Sequence, residues 1–131
     1  MVIWTNGCYD VLHRGHVELF KYAASLGTKL IVGIDTDERV AAAKGPSRPF
    51  NNLEDRKFLL RSIRYIDEVY EYSSDAELEN LLVENGVDTM VIGSDWEGKG
   101  VIGEKLVKNI KFFDRIEGYS TTKVLESGIR S

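Results

Sequence analysis

The chain has 131 residues, 43% of them apolar and 10% aromatic, which suits one domain with a sizeable core. Seventeen Lys and Arg against 21 Asp and Glu leave a net charge of -4, which argues against nucleic acid as the main partner, because that binding rests on summed phosphate neutralisation. The single cysteine, Cys8, excludes an internal disulfide or a thiolate metal cluster; the apolar runs fall far short of the roughly 20 residues of a membrane span, no leader pattern opens the chain, and a cytoplasmic protein with no membrane partner is expected.

In chain order, "VIWT" (2–5) predicts a short buried strand, "HVELFKYAASLG" (16–27) a helix closed by Gly27, and "KLIVGI" (29–34) a second strand. "LEDRKFLLRSIRY" (53–65) has helical periodicity behind a capping pair of Asn51 and Glu54, and "EVYEY" is a third strand. Ser74 and Glu77 open a helix that ends at Gly86; "DTMVI" and "IKFF" are a fourth and a fifth strand, with a short helix through "GEKLVK" between them. "STTKVLESG" closes the chain as a helix with Ser and Thr at its start. This alternation predicts an α/β fold, a single Rossmann-like domain over residues 1–131 with a five-stranded parallel sheet and helices on both faces. In such sheets ligands bind beyond the carboxyl ends of the strands, where loops 44–52, 93–103 and 114–119 and the stretch "TNGCYDVLHRGH" lie.

The only two histidines, His13 and His16, stand three apart at the mouth of the first helix, where N–H groups and the dipole favour an anion. Gly15 between them keeps the approach to the backbone open. Such a pair suits phosphoryl chemistry, with donors that follow charge as it develops on phosphorus. The alternatives are an idle surface pair, or a zinc pair that would have only carboxylates to complete it. "GSDWEGKG" (93–100) nearly spells a P-loop, but Gly100 stands where the magnesium-binding hydroxyl belongs, and Asp95 and Glu97 would repel phosphates. Asp95 and Trp96 fit a base or sugar instead, with Trp96 as core filler the plainer alternative. "RIEGYSTT" sets Arg115 before a glycine turn and three hydroxyls, a second phosphate cradle beyond what one N-cap needs. "KGPSRP" places Lys44 and Arg48 in a loop stiffened by both prolines of the chain, either a solvated linker or a cationic lid.

Taken together, "GCYDVLHRGH" and "RIEGYSTT" resemble the opening and closing signatures of the cytidylyltransferase-like nucleotidylyltransferases, in order and over almost the whole chain. "IRYIDEV", "GSDWEGK" and Arg115 are similar to glycerol-3-phosphate cytidylyltransferase. "TNGCYD", "KGPSRPFNNLEDR" and "GYSTT" are equally similar to the ATP-using nucleotidylyltransferase domain of the bifunctional heptose enzyme. The position of Arg115 and the Asp95-Trp96-Glu97 loop favours CTP, whereas "SSDAELENLL" lacks the acceptor-contacting lysine of the glycerol-phosphate enzymes, which leaves another phosphorylated polyol, sugar or amino-acid derivative open as acceptor.

The resemblance implies that CTP and a small phosphorylated acceptor react with loss of pyrophosphate, with Mg2+ bridging the phosphates. His13, His16, Lys44 and Arg115 would be the catalytic set. Cys8, Tyr9, Arg14, Gly15, Asp95, Trp96, Glu117, Gly118, Tyr119, Ser120, Thr121 and Thr122 would join the histidines and Arg115 around the nucleotide, and Lys44 and Arg48 would meet the acceptor. A homodimer is implied too. The alternatives are an ATP-dependent adenylyltransferase acting on a sugar 1-phosphate, and a nucleotide sensor without turnover.

Overall fold

Side-chain alternation along the central strands dictates the architecture. The structure is a computed structural model that describes residues 1–114. In β1 (Val2–Gly7), Ile3 joins one apolar cluster and Trp4 the other; in β2 (Lys29–Asp35), Leu30, Val32 and Ile34 go with Ile3, and Ile31 goes with Trp4. A strand that is apolar on both sides needs a layer over each face, as in parallel sheets.

Those layers come from α1 (Arg14–Ser25) and α3 (Leu53–Arg61), which add Phe20, Ala23 and Leu60 to the Ile3 cluster, and from α4 (Asp75–Glu84), which adds Leu78 and Leu82 to the Trp4 cluster. With β3 (Glu68–Tyr72), β4 (Thr89–Gly93) and β5 (Asn109–Phe113) the sheet has five strands, in the order β3-β2-β1-β4-β5. Every pairing is parallel, and β1 and β2 stay in register from Val2 opposite Lys29 to Gly7 opposite Ile34. The Rossmann-like expectation holds. The strand order reverses between β1 and β4, so the loops leaving their carboxyl ends are neighbours.

Two glycines have steric tasks. A Cβ on Gly33 would run into the Trp4 indole, so the β2 glycine makes room for that ring. Gly27 does not cap α1 in a left-handed conformation: the C-cap is Leu26, and a Cβ on Gly27 would stand 2.5 Å from the Met1 carbonyl oxygen.

Other expectations shift. The helix α2 (Asp37–Lys44) has no counterpart in the sequence reading, because only Val40 on it is buried and no apolar stripe announces it. The capping pair of α3 is Asn52 with the Asp55 N–H, one residue beyond Asn51 and Glu54; α3 ends at Arg61, short of residue 65. Ser74 caps α4 as expected, accepting from the Glu77 N–H, and Gly86 follows with φ +60°. The short helix expected over 103–108 is a 3-10 turn, Glu104–Leu106. The stretch expected to close the chain as a helix lies outside the described residues.

Candidate active site

Beyond β1 the chain turns at Tyr9, whose φ of 47° is rare for a side chain of that size. The turn sends the Tyr9 ring into the core, edge-on to Phe20 at 5.3 Å and to His16 at 5.5 Å. Burial pushes the Tyr9 phenol well above its usual range, so it stays protonated.

His13 is the N-cap of α1, and its Nδ1 accepts from the Gly15 N–H at 3.0 Å. His16 answers in the opposite direction, its Nδ1 accepting from the His13 N–H at 3.1 Å. This is a capping box in which imidazoles replace the usual hydroxyl and carboxylate, and the rings lie 3.9 Å apart between centroids. A nitrogen that accepts carries no proton, so each ring is held as the tautomer with its hydrogen on Nε2, the atom facing away from the capped backbone. Burial, the neighbouring His13 and the Lys44 charge push His16 down to about 4; burial also lowers His13. Near neutral pH both rings are therefore neutral Nε2–H donors. A zinc ion on either ring would have to displace the cap or take the place of the Nε2 proton. The box also engages the Gly15 and His16 N–H groups with His13, so the donors are the rings more than the bare helix end.

The Lys44 influence on His16 puts that cation near the pair, at the last residue of α2. Arg48 is not the tip of a loose lid. Its Nε donates to Asp10 at 2.7 Å, its guanidinium stacks on Phe50, and its side chain is 18% exposed. Its Nη2 is buried without a hydrogen-bond partner among the described residues.

Asp10 was not singled out from the sequence. Its side chain is 0% exposed and accepts from Arg48 and from the Phe50 and Asn51 N–H groups, both at 2.8 Å, while Asn51 Nδ2 donates to its carbonyl. Burial acts to raise its pKa, but those N–H groups and Arg48 outweigh it and hold the carboxyl below its usual range. A carboxylate three residues before a histidine expected to meet an anion would repel that anion unless it is paired, and that was the available signal. Arg56 was missed as well. Leu53, Arg56, Leu60 and Ile63 recur at helical spacing, Leu60 in the core and Leu53 and Ile63 packed against it, which marks Arg56 as inward-facing. It is 0% exposed and donates to the carbonyls of Cys8, Asp35 and Asn51 and to the Asp37 carboxylate.

The loop after β4 starts with a 3-10 turn, Ser94–Trp96, carrying Asp95 and Trp96. Trp96 is 54% exposed, which overturns its reading as core filler. Arg14 points outward on α1, opposite Glu18 at 3.5 Å, and Cys8 is half-buried. Arg115, Glu117, Gly118, Tyr119, Ser120, Thr121 and Thr122 lie outside the described residues. Among the described residues no three His, Cys, Asp or Glu side chains gather as a metal cage, and no helix is long and apolar enough to cross a membrane.

Residues 4–127 match the profile of the family described as "Cytidylyltransferase-like". The chain belongs to that family. Within it, the chain is 44% identical over 125 residues to the bifunctional protein HldE of Sulfurimonas denitrificans, covering 95% of the chain and 26% of the relative. It is 38% identical over 130 residues to HldE of Helicobacter hepaticus, covering 99% of the chain and 27% of the relative. The chain thus spans about a quarter of the length of these curated relatives. Among solved structures, the lipopolysaccharide core biosynthesis protein of Thermoplasma volcanium matches with a TM-score of 0.69 at 20% identity, over 89% of this chain and 98% of that one. At that identity the likeness is one of fold.

Proposed function

We propose that this chain is a nucleotidylyltransferase that passes an adenylyl group from ATP to the phosphate of a small sugar phosphate, releasing pyrophosphate. The histidine pair carries this reading: two neutral imidazoles with their Nε2–H groups fixed by a reciprocal cap, at the carboxyl end of β1 and close to Lys44. In-line attack on the α-phosphorus by the acceptor phosphate needs no covalent enzyme intermediate, so positioned donors and cations are what the reaction asks of a protein. His13 and His16 would donate to the phosphoryl oxygens, Lys44 and Arg115 would offset charge, and Ser120 and Thr121 would hold the departing pyrophosphate. Among the described residues no three His, Cys, Asp or Glu side chains gather as a cage, so Mg2+ would enter with the nucleotide's own phosphates.

The base and the acceptor are chosen from the relatives. The run of HldE matches favours the heptose-type, ATP-dependent alternative over CTP and glycerol 3-phosphate. Trp96, exposed beside Asp95, sustains the CTP reading as the second choice, because that loop falls where the cytidylyltransferases carry theirs. A pyrophosphate-release assay crossing ATP and CTP with heptose 1-phosphate, other sugar 1-phosphates and glycerol 3-phosphate separates them. Turnover with ATP and a sugar 1-phosphate is expected; turnover only with CTP overturns the choice of base, and nucleotide binding without pyrophosphate from any pair favours the sensor. The homodimer is part of the proposal, and sedimentation velocity tests it.

A further inference from the structure

We infer that Arg56 is a positioning residue for the transfer, a buried fork that holds the histidine loop, the Lys44 helix and the 45–52 loop in one fixed relation; this rests on the function proposed above. Its side chain is 0% exposed, so it does not touch a substrate. Its acceptors belong to separate segments that border the site. Nη1 donates to the Cys8 carbonyl on the approach to His13, and to the Asp35 carbonyl at the end of β2, both at 2.8 Å. Nη2 donates at 2.6 Å to Asp37, the first residue of the helix that ends at Lys44. Nε donates at 3.0 Å to the Asn51 carbonyl.

Asn51 closes the circuit, because its own N–H and Nδ2 donate to Asp10, two residues beyond Cys8. The histidine loop and the cationic loop are thus joined twice, once through Asp10 and once through Arg56. A planar guanidinium with donors in fixed directions sets those separations in a way that an ammonium cannot. A buried cation is costly to keep. Packing alone would be met as well by an apolar side chain at that position, so retaining the fork here points to geometry.

Arg56→Lys keeps the charge and loses the fork. The expected result is a fall in kcat of about tenfold or more, the scale on which small misplacements act, with the nucleotide Kd by calorimetry within about threefold of the unaltered protein and shifted imidazole 15N resonances of His13 and His16. A kcat fall below tenfold with unmoved resonances, whatever the change in Tm, overturns the inference. If Arg56→Lys does not fold, Asp37→Asn decides, since it removes one partner from the surface: a threefold or greater loss of kcat at unchanged Tm supports positioning, and a smaller loss overturns it. If no nucleotide and acceptor turn over, the proposed function fails on its own, and the imidazole resonances alone decide the role of Arg56.

Discussion

Each imidazole of the pair has two separable tasks, capping with Nδ1 and donating with Nε2. His16→Asn separates them, because an asparagine oxygen at that position can accept the His13 N–H while nothing replaces Nε2–H. The expected outcome is a kcat lower by about 100-fold, the scale of losing one donor aimed at the transition state, with stability within about 1 kcal/mol, the scale of a helix cap. Assaying turnover beside a thermal melt checks both. A pH dependence follows from the same ring. His16 takes a proton at about 4 when folded and at 6.5 when unfolded, so between those values the unfolded chain binds more protons. Its contribution to stability is full above pH 6.5 and declines as the pH falls to about 4. The His16 ring itself stays neutral over most of that window, so its imidazole 15N resonances in the folded protein should hold nearly level from pH 8 to about 5, where a histidine of ordinary pKa would already have titrated. A titration midpoint near 6.5 for that ring would refute this.

At the scale of elements, the loop between α2 and α3 is ordered by a carboxylate some forty residues upstream. Asp10→Ala leaves Arg48 with a buried charge and strips the Phe50 and Asn51 N–H groups of their acceptor, a loss of about 3–5 kcal/mol on the scale of a broken buried pair. Chemical denaturation at pH 7 measures it. The Asp10 carboxyl ionises more readily folded than unfolded, so its stabilisation is present above the ordinary value of 3.8 and is lost as the pH falls through its lower folded value. The gap between the two proteins should therefore narrow only below about pH 4. The strands were legible because β-branched runs between turn residues admit few other readings. The helix over 37–44 was not, since "DERVAAAK" buries only Val40 and so carries no repeating apolar stripe. The histidine pair was legible because both rings act within one turn. Asp10 and Arg56 were not, because their partners stand 38 to 41 and 5 to 48 residues away, and no local period records such a bond.

For the molecule as a whole, the two ends of the sheet are built differently. At the amino ends of the strands, Asp88 accepts from the Val2 N–H and Asp67 from the Leu30 N–H, closing the backbone there with side chains. The carboxyl ends instead carry the histidine pair and the Trp96 loop, side by side because β1 and β4 are paired. Both apolar clusters share the one sheet, so neither face can come apart while the other stays packed. Thermal unfolding should be a single transition, with the same midpoint by tryptophan fluorescence and by far-UV circular dichroism; two midpoints would show the faces to be independent.

The reciprocal imidazole cap also governs which reagents the protein resists. Acylating and alkylating electrophiles attack the lone pair of a neutral imidazole, and in both rings that pair is turned into the helix backbone. His13 and His16 are therefore sheltered from such labels despite their partial exposure. Fraying of the first helical turn is the event that would unmask them.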